Sequence, residues 1–231
     1  MSTCIITYRD FERALRLIKA IYRPYNIYCI HIDKKSTTTD YAEFVQHVQQ
    51  LGENIYFVPD KQRVHVVWGR YSVLEADLIC AKLLLKYGKN WKYFINLTGH
   101  EFPLRTNWEL VKALKALNGL NIAPAHYLQG KPWRIPPKRL VPLDCHSNIY
   151  RNAICMLGKG DLSYLMHHPH FFANKFLPDV EPEAYDELER WLANKILYEF
   201  HYNKTHPSFL YQYYVNYTFS QINNLKFNEQ F

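Results

Sequence analysis

Four short apolar runs alternate with segments of helical period through the first 120 residues, and that alternation restricts the fold more than any other feature. Cys4-Ile-Ile-Thr-Tyr8, Ile27-Tyr-Cys-Ile-His-Ile32, Asn54-Ile-Tyr-Phe-Val58 and Trp91-Lys-Tyr-Phe-Ile-Asn-Leu97 are short and rich in β-branched and aromatic residues, so they read as strands. Between the first two runs, Asp10 caps a helical pattern at Phe11, Leu15, Ile18 and Ile21 that Pro24 ends. Residues 40–51 repeat the period at Phe44, Val48 and Leu51 before Gly52. Ser72-Val-Leu-Glu75 reads as a capping box for a helix reaching Gly88, with Leu78 and Leu85 on its inner face. Thr106-Asn-Trp-Glu109 is a second box, and its helix stops at Asn118-Gly119. Strands separated by helices must be joined by crossovers, so the predicted class is α/β, a mainly parallel sheet covered on both faces. The ligand crevice of such a sheet lies at the carboxyl ends of its strands. Tyr8, Asp33 and the Thr98-Gly-His-Glu101 turn fall there.

Beyond residue 120 the rhythm stops. Residues 121–144 hold Pro124, Pro132, Pro136, Pro137 and Pro142 among Lys131, Arg134, Lys138 and Arg139, a long basic connection with no regular period. Residues 145–200 bring a helix opened by Asp161 and a longer one from about Pro182 to Phe200, with Tyr185, Leu188, Trp191, Leu192 and Ile196 facing inward. The tail, 201–231, is rich in Tyr, Asn and Phe and has no assigned architecture. The expected division is therefore 1–120, 121–144, 145–200 and 201–231.

With 48% hydrophobic residues and 16% aromatics the chain can bury a substantial core. Its net charge of +7 favours anionic partners without choosing among nucleotides, polyanions and membrane surfaces. Five cysteines form no Cys-x-x-Cys pair and no zinc quartet. Cys145 and Cys155 could close a short loop and Cys29 and Cys80 could tie two elements, leaving Cys4 odd; free buried thiols are the alternative. Sequons at Asn96, Asn203 and Asn216 lean toward a secretory compartment. No signal peptide and no bilayer-spanning run is visible.

The densest chemistry lies from Cys145 to Phe176. Arg151 sits between two cysteines, a Gly158-Lys-Gly turn and the Asp161 helix follow, and Lys175 comes after that helix. Such an arrangement can aim two cations at one anionic group, and arginine's planar fork suits phosphate oxygens. A diphosphate leaving group needs its charge neutralised by a metal or by fixed cations. No Asp-x-Asp is present to hold a metal, so cations are the available solution; the competing reading is two solvated surface charges. Asp33, at a strand end, could accept hydrogen bonds from a base or ribose or could cap a turn. Ile6, Thr7 and Tyr8 would lie beside it, and Trp68 could pack on a ligand or close the core. His167-His-Pro-His170 lacks the register and carboxylate of a metal site. The basic 131–139 stretch could grip polyanions, but no nucleic-acid module accompanies it, and no nucleotide-loop, hydrolase or kinase motif occurs.

Together these blocks resemble the core-2/I-branching β-1,6-N-acetylglucosaminyltransferase family, which includes the peptide-O-xylosyltransferases. The likeness runs through Ala20-Ile-Tyr-Arg-Pro-Tyr-Asn-Ile-Tyr-Cys-Ile-His-Ile-Asp-Lys-Lys35, Val67-Trp-Gly-Arg-Tyr-Ser72, Leu74-Glu-Ala-Asp-Leu78, Trp91–Leu97 and Gly99-His-Glu-Phe-Pro-Leu-Arg-Thr106, then from Cys145 through Phe176. The resemblance implies a GT-A-like, Rossmann-like fold with an incomplete second half. It implies a UDP-sugar donor, N-acetylglucosamine or less readily xylose, and an acceptor glycan or glycoprotein. It also implies inverting transfer with no cofactor and no metal. By that likeness Ile6, Thr7, Tyr8, Asp33 and Trp68 contact the donor, Arg151 and Lys175 hold its diphosphate, and Cys29–Cys80 and Cys145–Cys155 are disulfides. The family works in the Golgi lumen from an amino-terminal membrane anchor, and no such anchor is read in this chain.

One departure bears on catalysis. The family carries a long segment between the blocks matching Asn121 and Cys145, holding acceptor contacts and the carboxylate that acts as general base. Some two dozen Pro-rich residues stand there instead, with no matching Glu, so the catalytic residue is unassigned. The alternatives to an active transferase are a truncated isoform or relic that binds a UDP-sugar without turnover, and a basic polyanion-binding module.

Overall fold

The computed structural model describes residues 1–88, 90–121, 150–151, 154–155, 157–174, 176 and 181–228, without the side chains of 150–155 and 221–228. It divides into two compact units, Met1–Phe102 and Pro103–Phe231.

In the first unit, β1 (Ser2–Thr7), α1 (Phe11–Ile21), β2 (Ile27–Ile32), α2 (Thr38–Gln49), β3 (Ile55–Phe57), α3 (Tyr71–Tyr87) and β4 (Phe94–Thr98) follow in the expected alternation. The four strands form one sheet in the order β3-β2-β1-β4, and every pairing is parallel. The GT-A-like α/β expectation is met. β1 and β2 are in register from Ser2↔Ile27 to Thr7↔Ile32, which brings the ends of both strands level. Side chains alternate across the sheet. Cys4, Cys29 and Ile6 meet α3 through Cys80 and Leu84. On the other face, Phe44 of α2 packs within 5.2 Å of Phe11 and 6.4 Å of Phe57 (ring centroids).

Several local expectations change. Asp10 does precede α1, but in the left-handed region (φ 53°), and only its backbone carbonyl accepts from the helix. Helix α1 buries Ala14, Leu17 and Ile18, leaving Leu15 half-buried. The Ser72–Glu75 box does not form, because α3 already begins at Tyr71 and the Ser72 hydroxyl accepts from Val67 N–H at 2.9 Å. The inner face of α3 is Ala76, Cys80 and Leu84, whereas Leu78 and Leu85 point to solvent.

The second unit is helical. Its α4 (Asn107–Leu117) opens with the expected box: Glu109 N–H donates to Thr106 Oγ1 at 3.2 Å, and Thr106 N–H donates to Glu109 Oε2 at 3.1 Å. Helix α4 packs on α7 (Tyr211–Asn228), a helix in the tail that the sequence left unassigned, so it groups with this unit and not with the α/β part. Thr218 Oγ1 donates to Ala116 O at 2.9 Å across that contact. Helix α5 (Lys159–His167), opened by Gly158 N–H donating to Asp161 Oδ2 at 2.9 Å, lies against α6 (Pro182–Tyr202). Helix α6 turns Tyr185, Leu188 and Leu192 inward as expected, but Lys195 and Glu199 take the place given to Ile196. The backbone segments Tyr150–Arg151 and Ile154–Cys155 pair antiparallel.

Candidate functional site

The carboxyl ends of β1 and β2 meet a returning segment, residues 63–68, and this edge gathers the polar groups. Asp33 N–H donates to Thr7 O at 2.8 Å and extends the ladder by one residue. The Asp33 carboxylate is almost wholly buried; Oδ1 accepts from Lys35 N–H at 2.8 Å and Oδ2 from Val66 N–H at 3.1 Å. Asp33 is therefore first a clamp between the β2 turn and the 63–68 segment. Lys35 Nζ completes the clamp, 3.3 Å from Asp33 Oδ2, 2.7 Å from Val66 O and 4.3 Å above the Tyr8 ring. Ser36 Oγ donates to Tyr8 O at 2.6 Å.

Arg63 closes the structure from below. Its guanidinium donates to Ile32 O (2.8 Å), Asp33 O (2.8 Å), Ser36 O (2.9 Å) and Tyr41 Oη (2.7 Å), so four carbonyl or hydroxyl groups that a loop would leave exposed are satisfied. His31 Nε2 accepts from Val64 N–H at 3.1 Å, which requires a neutral ring with its proton on Nδ1. Burial holds the His31 pKa below its ordinary value, partly opposed by the Asp33 charge. Neither Arg63 nor Lys35 nor His31 stood out in the sequence as a site residue. Their partners are mostly backbone groups brought in by tertiary return of the chain, which the local sequence around them does not announce.

Of the expected donor contacts, the structure brings Ile6, Thr7, Tyr8 and Asp33 to one edge. Ile6 O accepts from Gly99 N–H at 2.9 Å, which ties β1 to the turn after β4. Thr7 is buried, and its Oγ1 has no hydrogen-bond partner. Gly99 is required beside it, since a Cβ there would stand 2.8 Å from Thr7 Oγ1 and 3.1 Å from Ala14 Cβ. Tyr8 is 42% exposed and Trp68 89% exposed, so Trp68 is no core residue. Trp68 sits in a turn fixed by Gly69 at φ 72°, with Ser72 holding its base. Lys175 lies outside the described residues, and Arg151 is placed only as strand backbone.

Cys4, Cys29 and Cys80 are fully buried and carry free thiols, so the expected Cys29–Cys80 disulfide is not formed. The three side chains share one apolar cluster, and Cys80 hydrogen-bonds toward both other thiols instead of committing to one. Burial pushes the Cys80 pKa far up. At Cys4 the hydrogen bond with Cys80 lowers the pKa, but burial, Cys29 and Asp77 outweigh it and leave the thiol above its usual range. Cys145 lies outside the described residues and Cys155 is seen as backbone alone. Among the described residues no cluster of His, Cys, Asp or Glu could hold a metal, the His167–His170 run included. No described helix is long and apolar enough to cross a membrane.

A parallel sheet flanked by helices, with a buried carboxylate clamp and exposed aromatic rings at its carboxyl edge, is a GT-A-like α/β arrangement whose crevice falls at those strand ends. The Core-2/I-Branching enzyme family model matches residues 4–162, and the chain belongs to that family. It is similar to the human beta-1,3-galactosyl-O-glycosyl-glycoprotein beta-1,6-N-acetylglucosaminyltransferase 3, 27% identical over 301 residues that take in 84% of this chain and 68% of the relative. The rat protein of that name is 24% identical over 300 residues, and a Bovine herpesvirus 4 beta-1,6-N-acetylglucosaminyltransferase is 27% identical over 300, with the same coverage. Because 84% of 231 residues is far short of 301, about a hundred aligned positions of the human relative have no counterpart here.

Proposed function

We propose that this chain binds a UDP-sugar on the β1–β2 edge and transfers N-acetylglucosamine to a hydroxyl of an O-linked glycan on a glycoprotein, building a β-1,6 branch. The observation that carries the reading is the convergence of Thr7, Tyr8 and Asp33 at the carboxyl ends of the sheet of a core-2/I-branching family member, with Trp68 exposed two residues beyond the Val66 that Asp33 holds. Thr7 Oγ1 lies just beneath this edge, buried and without a hydrogen-bond partner, so a bound nucleotide would reach it only where the edge opens. Tyr8 and Trp68 offer exposed ring faces for a base or sugar, and Asp33 shapes the turn between them.

Transfer with inversion breaks the sugar–phosphate bond as the acceptor oxygen attacks C1 and yields its proton to a base, and the charge that develops falls on the departing diphosphate. In this reading Arg151 and Lys175 receive that charge and no resident metal is used, in keeping with a sequence that holds no Asp-x-Asp. The proposed setting is the Golgi lumen, where the family's glycoprotein substrates pass.

A second reading, binding without turnover, is favoured by one finding. The hundred or so aligned positions missing relative to the human protein leave no assigned general base. One assay separates the two: UDP release from UDP-N-acetylglucosamine with a β-1,3-galactosyl O-glycan acceptor, alongside UDP affinity. Turnover that falls about 10²- to 10³-fold in Arg151→Ala and Lys175→Ala supports the transferase. UDP binding without turnover supports the second reading, and no UDP binding at all overturns both.

A further inference from the structure

We propose that the outer face of α3 is a self-association surface, on which a second copy of this chain packs antiparallel. Tyr71, Leu74, Leu78 and Leu85 are spaced by three, four and seven residues and so share one side of the helix. They are 67%, 52%, 52% and 61% exposed. The opposite side, Ala76, Cys80 and Leu84, is wholly buried against the sheet. A helix apolar on two sides expects a neighbour on each, and unit Met1–Phe102 supplies only one. Single exposed leucines need no partner, but an aligned row of four large side chains is a patch.

The charges beside the row select the occupant. Glu75 and Lys82 lie along the same flank, seven residues and two turns apart. Among the described residues neither makes an ion pair or hydrogen bond. A twofold axis passing between Leu78 and Ile79 sets two antiparallel copies of α3 against each other. Glu75 and Lys82 lie equally far from that point, so each Glu75 faces the other copy's Lys82, and two ion pairs close together. A parallel pairing would set Glu75 against Glu75. The antiparallel arrangement uses one patch twice and closes on itself, which makes a dimer and not a fibre. The row carries none of the residues proposed to contact the donor, so this inference stands or falls independently of the enzymatic reading.

A seventeen-residue helix face is a small interface, so association is weak and reversible. Sedimentation equilibrium over roughly 1 to 100 μM is expected to show a monomer–dimer transition. Leu78→Asp, at an exposed position the fold does not need, is expected to leave the circular dichroism spectrum intact and the chain monomeric. Glu75→Lys and Lys82→Glu should each weaken the dimer by roughly three- to tenfold, since each creates two like-charge contacts. The double reversal should restore the affinity to within about twofold of the parent. A chain monomeric at every concentration overturns the proposal. So does a dimer that survives Leu78→Asp, or two charge reversals whose losses simply add.

Discussion

The Lys195 ammonium on α6 lies 2.6 Å from Glu109 Oε2 on α4, and both side chains are entirely withdrawn from solvent. Burial drives the Lys195 pKa down and the Glu109 charge partly restores it. Glu109 also completes the α4 capping box, so one carboxylate joins the start of one helix to the middle of another. Lys195→Met leaves that carboxylate buried without its counter-ion, and is expected to cost about 3–5 kcal/mol in denaturant unfolding. Adding Glu109→Gln, which keeps an acceptor for Thr106, should recover most of the loss. An additive double mutant would show that the pair is not coupled.

The His31–Val64 hydrogen bond gives the β1–β2 edge a pH dependence. The His31 pKa is lowered in the folded chain, so folding excludes a proton that the unfolded chain accepts. Its contribution is present above the ordinary value of 6.5 and is lost as pH falls through the lowered folded value. Stability should therefore fall as pH drops below about 6.5, with UDP affinity falling alongside as residues 64–66 loosen. His31→Gln, whose amide oxygen can still accept from Val64, is expected to flatten that profile in thermal melts.

Thr7 separates stability from binding. Its buried hydroxyl is unpartnered, so Thr7→Val should be neutral or stabilising by about 1 kcal/mol. If the hydroxyl meets the donor, UDP affinity falls roughly tenfold in the same protein. Equal affinities in calorimetry would remove Thr7 from the site. Gly99→Ala presses on the same oxygen and on Ala14, and is expected to cost about 1–3 kcal/mol.

Trp68→Ala tests the rim. The side chain is exposed, so unfolding should change by no more than about 0.5 kcal/mol. Loss of a stacked base or sugar would weaken UDP-sugar binding by about 1–3 kcal/mol of contact, read by titration against the parent.

Much of the α/β part was legible because its signals are local. Ile27–Ile32 is a strand with the bounds its composition suggests, and Thr106 and Glu109 make their box unaided by distant contacts. What failed was the choice of face. In α3 both sides are apolar, and periodicity cannot say which one meets the sheet. In α6 nothing local marks Lys195 as buried, because its partner, Glu109, lies on another helix far away in sequence. The α7 helix was missed since Tyr, Asn and Phe have modest helix propensity and its support comes from tertiary contacts, with α4 and with Phe171 and Pro169 around Tyr214. At the site, strand ends pointed to Thr7, Tyr8 and Asp33, while Lys35, Arg63 and His31 act through backbone groups that only folding delivers.

The three sequons end up in unequal company. Asn96 lies within β4, one of the two edge strands of the described sheet, and its amide already leans on Asp77 at 3.4 Å. Asn216 sits inside α7, bonded to Gln212, with its Thr218 turned into the protein. Asn203 ends α6 in a left-handed turn, exposed, with Lys204 and Thr205 leading away. A carbohydrate chain attached at Asn203 would project freely into water, whereas one at Asn96 would crowd the amide nitrogen that already donates to Asp77, and one at Asn216 would grow from the middle of a packed helix.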